Sequence, residues 1–142
     1  MKLTLLLADW AEVLNGKLYV MGGGWTETGP APSPSALAAI VEVDWDETNV
    51  EHTAKFTLVD SDDRPMTVPT PTGHQPMLVE AKFNVGRPPQ AKPGSSFNVP
   101  FAVNIGPLPL QPGRIHVWRC HIDGKMHGSA TFITRAVVAA QP

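Results

Sequence analysis

Cysteine is almost absent from this 142-residue chain. Cys120 stands alone, so no internal disulfide forms and stability rests on a packed core. Charge is scarce too: 11 Lys and Arg against 13 Asp and Glu give a formal net charge of -2, with no basic block able to neutralise a run of phosphates. Nucleic-acid binding is not expected. Long apolar runs are missing, and nothing approaches the ~20 residues of a membrane-spanning helix. The apolar start from Leu3 to Leu7 is cut by Asp9 and Trp10 before it reaches the length of a signal-peptide core. Neither a leader nor a membrane partner is expected. No fixed-period repeat, heptad or nucleotide-binding glycine fingerprint runs through the sequence, and stretches rich in helix formers are few.

Turn chemistry, by contrast, is plentiful. Fifteen Pro and twelve Gly would interrupt helices repeatedly, whereas many short strands need that many turns. With 42% hydrophobic residues the chain is apolar enough for one core, and a single domain over residues 1–142 is expected. Period-two alternation supports an all-β class. Phe97, Val99, Phe101, Val103 and Ile105 alternate with smaller or polar residues, as do Met77, Val79, Ala81, Phe83 and Val85, and Leu37, Ala39, Val41, Val43 and Trp45. Further strands are read at Ala54–Val59, at about Arg114–Ile122 with His116, Trp118, Cys120 and Ile122 on one face, and at about Gly128–Val137. Asn15-Gly16 and Asp123-Gly124 accept positive φ and mark tight hairpin turns, and Ser61–Arg64 reads as a polar hairpin end. The Pro-rich stretches Thr26–Ser35, Thr70–Pro76, Gly86–Gly94 and Gly106–Gly113 read as semi-rigid arches across the ends of a two-sheet antiparallel β-sandwich. Eight or nine strands in Greek-key or jelly-roll-like order are expected, with a C-terminal arm over 136–142.

Residues able to do chemistry are few and poorly spaced. His116, Cys120, His121 and His127 fall within twelve residues, but a strand sends His116 and Cys120 to one face and His121 to the other. A metal-dependent enzyme at His116, His121 and His127 with nearby carboxylates is therefore the weakest of three functional readings. No metal or cofactor is expected. Asp60-Ser61-Asp62-Asp63 lacks the later glycine and glutamate of a calcium loop, and Asp44 and Asp46 read as an outward strand face. His52 and His74 fall at loops or strand entries, where histidines are usually solvated. No serine sits in a nucleophile elbow, and Cys120 lies in an apolar strand, so the chain reads as a non-enzyme. Gly22-Gly23-Gly24, with no helix pattern or Lys-Ser/Thr after it, reads as a bulge or close backbone approach. Of four tryptophans, Trp45 and Trp118 follow inward alternation, while Trp10 and Trp25 stand beside turns. An exposed indole at either would suit a protein or glycan interface.

Lys2–Asp9, Asn15–Trp25, Val85–Pro89, Pro107–Leu110, Pro112–Arg114 and Val117-Trp118 together resemble a family of small uncharacterised proteins of actinobacteria and their phages. The resemblance implies a β-sandwich and a phage or mobile-element setting. Its motifs are turns and core positions, so it transfers no functional residue. By fold-level analogy the leading reading is a structural, protein-binding module such as a capsid decoration or other accessory virion protein, located in the virion if phage-encoded and otherwise in the cytoplasm. Its partners would be capsid or other virion subunits and other copies of itself. The candidate interface comprises Trp10, Trp25, Pro30, Pro32, Pro34, Arg87, Pro88, Pro89, Val137 and Val138. The second reading is a ligand- or carbohydrate-binding sandwich using Trp10 or Trp25.

Overall fold

Alternation becomes sheet in a computed structural model that describes residues 1–138. Three strands, β1 (Lys2–Ala8), β5 (Ser35–Val43) and β10 (Phe97–Ile105), form one antiparallel sheet with β5 at its centre. Five strands form the other. In sheet order they are β4 (Glu27–Thr28), β12 (Lys125–Thr134), β11 (Ile115–Ile122), β6 (Glu51–Asp60) and β9 (Leu78–Asn84). All pairs are antiparallel except β4 on β12. Two ribbons complete the fold, β2 (Trp10–Leu14) with β3 (Lys17–Met21) and β7 (Thr67–Thr70) with β8 (Gly73–Pro76). The expected all-β sandwich is present, with eight strands in its two sheets.

The core lies between the sheets. Leu37, Ala39, Val41 and Val43 pack in one cluster with Ala54, Phe56, Leu58, Trp118, Cys120, Ile122 and Phe132, all buried. Burying each large side chain contributes roughly 1.5–3 kcal/mol, so these alternating positions hold the sheets together without a disulfide. At one seam β1 meets β12, where Leu3 lies over Gly128. A Cβ there would fall 2.9 Å from Leu3 Cδ2, so glycine lets the strands approach beside the bulge between Cys120 and His121. Pro100 sits mid-strand in β10, an edge strand, which is where proline is tolerated and where a missing donor discourages pairing with foreign strands.

Three expectations are corrected. The β5 alternation stops at Val43, because Asp44 opens a 3₁₀ turn, Trp45–Glu47, through a reciprocal capping box with Glu47. Asp44 and Asp46 therefore belong to a turn rather than to an outward strand face, and Trp45 is half-buried, stacked on Phe97. The expected arch at Thr70–Pro76 is instead the turn and second strand of the β7–β8 ribbon, a two-stranded piece whose outer edges accept Pro69 and Pro76. The last strand ends at Thr134. Of the expected C-terminal arm, residues 136–138 have no regular structure and 139–142 lie outside the described residues.

Candidate functional site

The outer face of the three-stranded sheet is built from small residues at one end. Ala36 and Ala38 of β5, Ala102 of β10, and Leu6 and Ala8 of β1 leave a shallow floor on which the β2–β3 ribbon lies through Ala11 and Leu18. Asn104 of β10 then clamps the ribbon. Its Nδ2 donates to the Ala11 carbonyl at 2.7 Å, and its Oδ1 accepts from the Ala11 amide at 3.2 Å. One side-chain amide thus takes the place of a neighbouring strand. Gly22 (φ +62) and Gly24 (φ +90) return the chain to the sheet, where the Gly24 amide donates to the Leu7 carbonyl at 2.7 Å. The triple glycine is therefore a close backbone approach, as its context implies.

Docking one ribbon face fixes what the other presents. Register pairs Trp10 with Met21, Glu12 with Tyr19 and Leu14 with Lys17, around a turn in which Asn15 and Gly16 both have positive φ. Alternation then turns Ala11 and Leu18 inward and those three pairs outward. Trp10 is 49% exposed, Leu14 52%, Tyr19 50% and Met21 66%, and Val13 and Val20 are exposed at the margins. Six of the thirteen exposed large hydrophobic residues among the described residues thus sit on one twelve-residue hairpin. Single exposed apolar residues are ordinary, but a set gathered on one face is not, and Trp, Tyr and Met are types enriched at protein interfaces.

The other candidate interface residues separate. Trp25 does not share the ribbon face: it packs edge-on against Phe132 at 5.7 Å, is half-buried, and lines an end cavity of about 20 Å³ beneath Pro30 and Pro32. That is room for one water, but the indole also lines an open depression of about 440 Å³ with Asp9, Glu27 and Arg135. Pro30, Pro32 and Pro34 are exposed on the arch above it. Arg87 is engaged internally. Its Nε donates to Thr48 Oγ1 and its Nη2 to the Trp45 carbonyl, both at 2.6 Å, while the guanidinium lies 4.0 Å over the Trp45 ring. It ties the Gly86–Gly94 arch to the 3₁₀ turn, with Pro88 and Pro89 exposed beyond it. Val137 and Val138 are exposed in the tail. Leu14, Tyr19 and Met21 escape a search for tryptophans and prolines. The signal for them is a hairpin apolar on both faces, when docking on a core needs only one.

The histidines are not brought together. His116 is buried on the inward face of β11 at the end of the sandwich, His121 lies on the opposite face, and His127 Nδ1 faces the Lys125 carbonyl at 2.9 Å. Asp44, Asp46 and Glu47 do cluster, with the Met1 ammonium 3.2 Å from Glu47 Oε1 and 3.8 Å from Asp44 Oδ2. Cys120 is fully buried, and desolvation pushes its thiol up to about 11, the opposite of what an attacking thiolate requires.

His52 is buried, contrary to the solvated reading. Nδ1 lies 2.6 Å from Asp123 Oδ2 and Nε2 lies 2.7 Å from the Glu47 carbonyl oxygen. Both partners are acceptors, so both nitrogens must carry protons and the ring is an imidazolium. Burial pushes its pKa down, but the Glu47 carbonyl and the Asp123 carboxylate outweigh burial and leave it raised. With neither nitrogen free, this pair cannot serve as a base; it ties the β11–β12 turn to β6. A raised histidine pKa contributes stability in full below its unfolded value near 6.5, lost as pH rises through the folded value. His116 acts oppositely, because burial lowers its pKa and its contribution is lost as pH falls. His52→Gln is expected to cost most below the unfolded value near 6.5, and the deficit should shrink as pH rises beyond it through the raised folded value. Urea titrations of parent and variant across that range check this; a deficit that grows with pH contradicts the imidazolium assignment.

No curated protein matches the chain. Among solved structures, the sensor domain of the anti-sigma factor RsgI4 in Pseudobacteroides cellulosolvens aligns over 99% of this chain and 96% of that one, at 8% identity and a TM-score of 0.40. A likeness that low carries no argument about function. The model of a family of unknown function, DUF6941, matches residues 3–135, and with nearly the whole chain spanned, the protein belongs to that family.

Proposed function

We propose that this protein is a non-enzymatic interaction module whose β2–β3 ribbon is laid against another protein. The observation that carries the reading is the exposed row of Trp10, Leu14, Tyr19 and Met21 on a ribbon fixed to a rigid sandwich. Holding the ribbon by Asn104 and the alanine floor restricts it before binding, so little conformational entropy remains to be lost when a partner covers it. Absence of chemistry is supported by the buried, high-pKa Cys120 and by a His52–Asp123 pair with both ring nitrogens engaged.

In its specific form the partner is a virion subunit and the protein decorates or accompanies a phage particle. The support is the sequence resemblance to proteins of actinobacteria and their phages, together with a sandwich that could repeat around a symmetric shell, where many weak contacts add. The test mixes the purified chain with particles from its source, sediments them and quantifies the bound protein. Saturable occupancy at a fixed ratio to the shell subunit is expected. A chain that stays in the supernatant as a discrete monomer or dimer overturns the virion form.

A further inference from the structure

A second feature lies apart from the ribbon. The β6–β7 hairpin end, the β7–β8 ribbon and the loop before β11 enclose a cleft of about 570 Å³, lined by Asp60, Asp62, Arg64, His74, Arg114 and His116 among others. That size falls within the range of small-molecule sites. His116 is 1% exposed, and among the described residues neither ring nitrogen has a hydrogen-bond partner. The Gln111 carbonyl is near enough to favour the protonated ring, but it already accepts from Thr134 Oγ1 at 2.7 Å and meets neither nitrogen in hydrogen-bond geometry. A buried side chain with two unpartnered polar atoms on a cleft wall is costly unless something in the cleft satisfies it.

The unpaired guanidiniums indicate what that something is. Arg64 and Arg114 make no ion pair among the described residues, although Arg64 lies close enough to favour the ionised form of Asp60. Asp60 is held locally, its Oδ1 accepting from the amides of Asp62 and Arg64 at 2.9 Å each. The cleft therefore offers two guanidiniums and a neutral imidazole to an incoming group, against the carboxylates of Asp60 and Asp62, of which Asp60 has Oδ1 already engaged by two amides. Planar guanidinium forks match oxyanions, and a neutral imidazole supplies one donor. We propose that this cleft binds a small molecule through a phosphate or carboxylate group, held by Arg64 and Arg114 and hydrogen-bonded by His116.

The test follows the His116 ring nitrogens by NMR while inorganic phosphate, and separately acetate, is added at constant ionic strength. A saturable shift at His116 with at least one of them is expected, and which one saturates tells a tetrahedral from a planar oxyanion. Arg64→Gln with Arg114→Gln should weaken binding about tenfold or more, the loss for charged hydrogen bonds. Asp62→Asn should tighten it. All three residues are exposed, so an unchanged amide spectrum verifies the fold. Shifts that never saturate with either anion, or affinity unchanged in the double arginine variant, overturn the proposal.

Discussion

With Trp10 and Met21 both replaced by serine, the protein is expected to melt as the parent does and to bind its partner roughly thirtyfold more weakly or worse. The two residues face each other across the ribbon and are 49% and 66% exposed, so their removal takes little from the folded core. Surface changes of this kind usually shift stability by no more than about 0.5 kcal/mol. At a covered interface the same truncation removes a central aromatic anchor and its neighbour, where losses of ~2 kcal/mol or more are common. Thermal melts and partner titration of the same preparation separate the two effects. Unchanged affinity would move the interface off the ribbon.

Asn104→Leu should have the opposite profile, with a large loss of stability concentrated in one element. Leucine keeps the volume but removes both bonds to Ala11, a fully buried residue, and leaves its amide and carbonyl without partners. Each orphaned group costs about 1–3 kcal/mol, so a total of about 2–4 kcal/mol is expected, limited by the ribbon lifting off and rehydrating. Hydrogen exchange should rise across residues 10–21 while β5, β6 and β11 keep their protection, because their core side chains do not touch Asn104's bonds. Uniform loss of protection would mean that the ribbon is integral to the sandwich rather than an element docked upon it.

How much of this was legible beforehand depended on whether a signal was local. Leu37–Val43, Phe97–Ile105 and His116–Ile122 announce strands because period-two alternation is written in adjacent residues, and Asn15-Gly16 announces its turn because the two residues supply the required φ. The β7–β8 ribbon was hidden because Pro71 and Pro76 made Thr70–Pro76 read as an arch, and Gly73–Pro76 carries no apolar alternation. Trp25 turns inward through the backbone path of Gly22–Gly24, which no count of tryptophans reveals. His52 and Asp123 are 71 residues apart, and Ala11 and Asn104 are 93 apart. Such pairs come together only through strand order. The cleft at His116 draws on residues 60–74 and 109–116, so its chemistry is invisible until β6 pairs with β11.

The most direct measurement of the central claim is site-specific photocrosslinking in the native setting, from a probe at position 19 on the ribbon and from one at position 82 on β9 of the other sheet. The account predicts a discrete adduct of constant mass from position 19, abolished by Trp10→Ser with Met21→Ser, and none from position 82. An adduct from position 82 with none from position 19 would place the working surface on the opposite side of the sandwich and contradict the assignment.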